Sequence, residues 1–298
     1  MTNFIKTMSG VVGALVLTLG AFATGVYGAV NILPNGMSAA VAEAGVPTVI
    51  LDETKLVAKS AVLYDLGTHR VLYQKNAYEQ LPLASLTKLM AVQTVLSVKM
   101  AKTPVQITRS NILPEGNSGL KVGQMVTLGD LIKFALVASS NDAMEAATAT
   151  LGDDPIGKMN AAAKQLGLTK THFFNATGLD VTKTTSGAYG SAYDVARLAA
   201  LFYKDHPDFF ELTTRPEVSI DQSGKTLTAE ATTLPLQSIP GFVAAKTGYT
   251  DLAGGNLVAV FDLEPGVTVV AAVLGSTRDG RFSDVAALIQ AARASLSL

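Results

Sequence analysis

Ser85-Leu86-Thr87-Lys88 sets a hydroxyl and an amine three residues apart at the start of an apolar helical pattern. Residues i and i+3 share a helix face, so the Lys88 amine can reach the Ser85 hydroxyl. A helix start also offers free backbone N–H groups and a positive dipole end, which suit an oxyanion. A neutral lysine beside a serine can act as the base that activates it. The chain has no cysteine and three histidines, His69, His172 and His206. Thiol nucleophiles, disulfides, cysteine-held zinc and iron–sulfur clusters are thereby excluded. No H-E-x-x-H spacing supports a zinc site either, so no metal or other cofactor is expected. Any catalysis must use at most these three histidines or do without imidazole. The spacing alone is a weak sign, because a chain this rich in serine carries about one S-x-x-K by chance. Ser118-Gly119-Leu120-Lys121 is a second match, but its glycines read as a loop that would not fix the geometry.

Two further motifs follow in order. Ser139-Ser140-Asn141 is the only S-x-N, at the junction of two helical patterns. Taken alone it reads as a helix N-cap, for which Ser and Asn are favoured. Lys246-Thr247-Gly248 is the only K-T-G, placed at the end of an apolar strand before a glycine-rich turn. Taken alone it reads as a strand end with a solvated lysine.

The elements that must position these residues follow from periodicity. Ser60 to Asp65 and Val71 to Gln74 read as strands around the Gly67-Thr68 turn. Helical spacing covers Ser85 to Val98, Leu128 to Ser139, Asn141 to Leu151, Asp154 to Leu166 and Ser191 to Tyr203. Strands return at Gly241 to Lys246, Asn256 to Asp262 and Thr268 to Leu274, and a last amphipathic helix covers Phe282 to Ala294. Strands at both ends around a helical block predict an α+β fold. One antiparallel sheet is built from N- and C-terminal strands, with a mainly helical insertion. The loop from Thr103 to Gly123 has no assigned role.

The ordered motifs are those of penicillin-binding proteins and class A β-lactamases, where S-D-N is the usual middle motif. PLASLTKLMA, LVASSNDAMEAA, THFFNATGLD, SAYDVARLA and AAKTGYTDLAGGNLVAV narrow the match. From about Ser60 to Arg281 the chain resembles the serine-type D-alanyl-D-alanine carboxypeptidases, the low-molecular-mass penicillin-binding proteins. The resemblance implies a β-lactamase/DD-transpeptidase-like fold. It also implies removal of the terminal D-Ala from peptidoglycan stem peptides ending in D-Ala-D-Ala, through an acyl-enzyme, with β-lactams as covalent inhibitors. Ser85 would be the nucleophile and Lys88 its base. Ser139 would relay a proton to the leaving amine, and Asn141 would hold the substrate amide. Lys246 and Thr247 of the Lys246-Thr247-Gly248 motif would bind the terminal carboxylate. The backbone N–H groups of Ser85 and Tyr249 would form the oxyanion hole, with the substrate lying along the strand as an added strand.

Some positions depart from the family pattern. Ala244-Ala245 stands where a Gly-x pair is commoner, Ala231-Thr232-Thr233-Leu234 where many members have Asn-Thr-Asn, and Asn175-Ala176-Thr177-Gly178 where some have an Asn-Pro-His-Gly-like segment. None removes a catalytic residue. The competing readings are a DD-endopeptidase with the same machinery, a class A-like β-lactamase and a non-catalytic wall-binding module. A lactamase needs a Glu-x-x-x-Asn-like segment after the second motif. Glu145, Glu211, Glu217 and Glu230 are followed four residues on by Ala149, Arg215, Asp221 and Leu234, so none fits. Three intact motifs disfavour the non-catalytic module.

The remaining signals concern placement. Of 298 residues 48% are hydrophobic and 16% charged, and mean hydropathy is +0.33, which excludes disorder. Net charge is −1, so no basic field draws nucleic acid. Between Lys6 and Glu43 lie 36 residues without a charge, with an apolar run of 23 from Val11 to Leu33. A positive start and such a run read as an export signal or a membrane anchor within residues 9–33; Ala40-Val41-Ala42 is a candidate cleavage site, and an uncleaved anchor is preferred. Many members carry a β-rich second domain and a C-terminal amphipathic anchor; here the N-terminal segment is expected to be the anchor instead. The expected division is 1–45, signal or anchor with linker, and 46–298, catalytic domain on the extracytoplasmic side.

Overall fold

The computed structural model describes residues 49–113, 115, 119–222 and 225–296. The expected export or anchor segment, and Ser118 of the second S-x-x-K, lie outside the described residues. Among the described residues no helix is long and apolar enough to cross a membrane.

In chain order the elements are β1 (Ser60–Asp65), β2 (Val71–Lys75), β3 (Leu81–Pro82), α1 (Thr87–Leu96), β4 (Pro104–Gln106), β5 (Met125–Thr127), α2 (Leu128–Val137) and α3 (Asn141–Ala149). Then come α4 (Pro155–Gln165), β6 (His172–Phe173), β7 (Ala188–Gly190), α5 (Ala192–Asp205), α6 (Pro207–Phe210), β8 (Glu217–Gln222) and β9 (Lys225–Glu230). The chain closes with β10 (Phe242–Thr250), β11 (Gly254–Glu264), β12 (Val267–Ser276) and α7 (Gly280–Leu296).

The main sheet is antiparallel throughout, in the order β10-β11-β12-β1-β2. Strands from both ends of the described chain therefore meet, β1 against β12, with Ser60 opposite Leu274 and Asp65 opposite Val269. This is the α+β arrangement expected from the sequence, with α1 to α6 inserted between β2 and β10. Side chains alternate faces along a strand. Val258, Val260, Val270, Ala272 and Leu274 join one large apolar core with α1, α2, α3 and α5. Their neighbours Leu257, Ala259, Val269, Ala271 and Val273 are equally buried, and α7 packs on β11 and β12. Burial on both faces explains why these strands read as unbroken apolar runs rather than as alternation.

Three details differ from the sequence reading. β10 runs to Thr250, so Lys246-Thr247-Gly248 lies inside the strand and not at its end; Thr247 and Gly248 pair with Leu257 and Asn256. Gly248 suggested a turn, but its small size serves a close approach described below. Ser85 lies in a 3-10 turn, Ala84–Leu86, rather than in the first turn of the helix, because Ala84 takes φ +48°. The β8–β9 hairpin, with Glu217 opposite Glu230 and Ile220 opposite Leu227, was not expected.

Candidate active site

The 3-10 turn holding Ser85 feeds directly into α1, which carries Lys88 one turn later. Lys88 is fully buried. Its Nζ lies 2.8 Å from Ser85 Oγ, 2.7 Å from Asn141 Oδ1 and 2.9 Å from the Thr177 carbonyl. Burial pulls its amine from the usual lysine range down to about 7, against an opposing pull from the Glu145 carboxylate. Near neutrality a good share of Lys88 is therefore uncharged. Asn141 Oδ1 and the Thr177 carbonyl can only accept hydrogen bonds. A neutral amine gives its two N–H groups to them and keeps its lone pair for Ser85, whose hydroxyl then becomes the donor. The pocket thus selects the form of Lys88 that can take a proton from Ser85.

The Thr177 carbonyl was not legible in the sequence, since a backbone oxygen leaves no residue type to read. Its segment is nevertheless built for the task. Asn175 Oδ1 accepts from the Gly178 amide at 2.7 Å, and its Nδ2 donates to the Leu179 carbonyl at 2.9 Å. Gly178 takes φ +81°, and a Cβ there would collide with the Ala84 carbonyl beside the nucleophile.

Ser139 lies between α2 and α3 with φ +59°. Its Oγ accepts from Lys246 Nζ at 2.8 Å. The N-cap of α3 is its neighbour Ser140, whose Oγ accepts from the Ala143 amide at 3.1 Å. Ser140 thus caps α3 while Ser139 meets Lys246. Asn141 opens α3, and besides receiving Lys88 it donates from Nδ2 to the Glu115 carbonyl at 3.1 Å. Leu113 donates its amide to Asp142 at 2.8 Å, so part of the loop without an assigned role borders the site.

Lys246, on β10, is also fully buried. Its Nζ donates to Ser139 Oγ and, at 2.9 Å, to the Thr247 carbonyl. Burial holds its amine well below the usual lysine range, and the charges of Lys88 and Arg281 push the same way. Two buried ammonium groups so placed disfavour each other. Thr247 Oγ1 donates to Thr232 Oγ1 at 2.7 Å, and Thr232 is anchored by its amide to the Val137 carbonyl at 3.1 Å. The Ala231–Leu234 segment therefore supports the K-T-G threonine with a hydroxyl. A Cβ on Gly248 would stand 3.1 Å from the Ser85 nitrogen and 3.0 Å from the Leu83 carbonyl. Glycine thus eases the close approach of β10 to the Ser85 turn, where a methyl group would need its neighbours to give way. Tyr249 follows, 40% exposed, with the Arg278 guanidinium 4.2 Å from its ring centre.

The structure thus brings Ser85 and Asn141 onto Lys88, and Ser139 and the Thr247 carbonyl onto Lys246, while the Thr247 hydroxyl meets Thr232. Arg281 is an addition. Its Nη1 donates to the Gly248 carbonyl at 2.7 Å, and its Nε has no partner among the described residues. A lone arginine at the start of a C-terminal helix gives no motif to find. The histidines are elsewhere: His69 meets Tyr64, His172 meets Phe174 and His206 meets Phe202.

The profile of the D-alanyl-D-alanine carboxypeptidase family matches residues 47–278, most of the chain and all three motifs of this site. The chain belongs to that family. It is 33% identical over 211 residues to a D-alanyl-D-alanine carboxypeptidase of Bacillus subtilis, covering 68% of this chain and 53% of the relative. It is 30% identical over 258 residues to one of Escherichia coli, covering 80% and 61%. The chain thus spans little more than half the length of these curated relatives. Among solved structures it resembles penicillin-binding protein D2 of Listeria monocytogenes in its ampicillin-bound form. That match has TM-score 0.70 and 31% identity, covering 79% of this chain and 97% of that one. A Streptomyces K15 DD-transpeptidase matches with TM-score 0.72 and 26% identity over 82% and 99%. Both support the DD-peptidase fold of this family member.

Proposed function

We propose that the protein is a serine-type D-Ala-D-Ala carboxypeptidase that trims peptidoglycan stem peptides and is acylated by β-lactams. The observation that carries this reading is the Ser85 Oγ–Lys88 Nζ contact of 2.8 Å, with Lys88 held by two obligate acceptors. Ser85 attacks the carbonyl of the penultimate D-Ala as Lys88 takes its proton. The oxyanion is met by the Ser85 and Tyr249 amides, which Gly248 allows to converge. Asn141 orients the substrate amide. Ser139, hydrogen-bonded to Lys246, delivers a proton to the leaving amine as the C–N bond breaks. Water then releases the shortened peptide from Ser85.

The terminal carboxylate is read by the Thr247 hydroxyl under the positive field of Lys246 and Arg281. Because Lys246 is buried behind Ser139, it acts through that field and through Ser139. A bound carboxylate favours the charged form of Lys246, and that charge in turn favours neutral Lys88. Substrate binding so helps to prepare the base.

A second reading is DD-endopeptidase action on cross-links. The chain is 28% identical to a protein named D-alanyl-D-alanine endopeptidase in Escherichia coli and covers 74% of its length, more than of the carboxypeptidases quoted above. We further propose that residues 1–45 export or anchor the catalytic domain, 46–298, on the outer face of the membrane. The apolar run from Val11 to Leu33 supports this. A size shift on export would mark a cleaved signal, and its absence an anchor.

The test is covalent labelling with a fluorescent penicillin, followed by D-Ala release from a stem pentapeptide. Wild type should label and release D-Ala, and Ser85→Ala should do neither. Labelling that persists in Ser85→Ala would overturn the nucleophile assignment. Cleavage confined to cross-linked dimers would favour the endopeptidase, and fast penicillin turnover a lactamase.

A further inference from the structure

Asn141 and Glu145 are one turn apart on α3 and so share a face. Asn141 turns that face toward α1 by receiving Lys88 at 2.7 Å. Glu145 is half-buried there, and its carboxylate makes no hydrogen bond or ion pair with a described residue. Other charges on elements packed against α3 are few. α2 carries Asp130 and Lys133, which pair with each other at 2.9 Å. The Arg109–Asn111 turn carries Arg109, and β4 carries none. On α3 itself Asp142 accepts from the Leu113 amide; burial raises the Glu145 carboxyl above the usual range and the charge of Lys88 opposes it. The charge of Lys88 also depresses the Lys246 amine on β10.

We propose that Glu145 is a positioning residue for the acylation step, holding a negative charge one helical turn behind Asn141 so that Lys88 can accept the Ser85 proton. As the Ser85 oxygen bonds to the acyl carbon, its proton passes to Lys88 Nζ and an ammonium forms inside the fold. Glu145 stabilises that ammonium and takes no proton itself. It also opposes burial, which pulls the Lys88 amine down. A nearby carboxylate raises the basicity of an amine. Removing it therefore makes Lys88 easier to deprotonate and poorer at receiving a proton.

The inference rests on the reading that Ser85 is acylated, so the experiment keeps the two apart. Second-order rates of acylation by a fluorescent penicillin are measured from acid to alkaline pH for wild type, Glu145→Gln and Glu145→Asp. In Glu145→Gln the acid limb should move down by roughly half a pH unit or more, with a lower plateau. Well below the midpoint such a shift means about a threefold larger fraction of neutral lysine. Glu145→Asp keeps the charge and should stay close to the wild-type limb. A lower rate with an unmoved limb in Glu145→Gln would overturn the inference. An equal shift in Glu145→Asp would also overturn it, by assigning the effect to packing. Failure of the wild type to label would instead overturn the carboxypeptidase reading.

Discussion

Lys246 Nζ donates to Ser139 Oγ at 2.8 Å, while Ser140, the next residue, caps α3 through the Ala143 amide. Two adjacent serines therefore have separable jobs. Ser139→Ala should lower kcat/KM for a stem pentapeptide by about 10²–10⁴, the usual worth of a general acid, and should also lower Tm, because the buried Lys246 amine loses an acceptor. Ser140→Ala should cost ~1 kcal/mol of stability with much smaller kinetic loss. Parallel kinetics and thermal unfolding on both variants check this, and an equal kinetic loss in Ser140→Ala would contradict it.

The buried Lys88 amine, brought to about 7, gives the acylation rate an acid limb. Below that pH Lys88 is an ammonium with no lone pair for the Ser85 proton, and above it the neutral amine can accept. The rate of penicillin labelling should therefore rise with pH through a midpoint near 7 and then level off. A rise only in the ordinary lysine range would mean that the base is not this buried amine.

Gly178 is the position where an added methyl group should be most costly to the site. It takes φ +81°, a strain of roughly 1–2 kcal/mol for other residues, and its Cβ would meet the Ala84 carbonyl. Gly178→Ala should displace both the Thr177 carbonyl and the Ser85 turn. The expected outcome is a lower Tm with loss of most penicillin labelling in the fraction that remains folded, measured by labelling and circular dichroism together.

Asp284 on α7 offers a contrasting variant. Its buried carboxylate accepts from the Val57 and Ala58 amides at 2.8 and 2.9 Å and from Ser276 Oγ at 2.6 Å. Asp284→Ala leaves a buried N–H without an acceptor and should cost about 2–4 kcal/mol in urea unfolding. The folded fraction should keep its acylation rate, because none of these partners belongs to the Ser85 or Lys246 groups.

Much of the fold and site could be read from residue types. Periodicity marked β1, β2 and the major helices, because each has an apolar face or run of ordinary length. The three motifs named every polar side chain that meets at Ser85 and Lys246. What escaped reading depends on the backbone or on remote packing. The Thr177 carbonyl has no residue signature, and Arg281 acts through a contact with the Gly248 carbonyl that only the folded sheet creates. Gly248 suggested a turn because glycine serves turns and close approaches alike; the nearness of Ser85 decides between them. The β8–β9 hairpin does alternate, with Val218 and Ile220 buried between exposed Glu217, Ser219 and Asp221, so it was legible as strands although it was not expected. Ser139 and Ser140 are indistinguishable as cap candidates until backbone φ separates them.

The strand order β10-β11-β12-β1-β2 has a consequence for how the protein is made. A nascent chain that has emerged through α6 already contains Ser85, Lys88, Ser139 and Asn141. It lacks β10 to carry Lys246, and β12, which joins β10 and β11 to β1. Ser85 is therefore synthesised early, and the group around it is completed only with the last three strands. On the proposed reading, a chain that stops before β10 lacks Lys246 and so has no completed site to react with a β-lactam or a stem peptide.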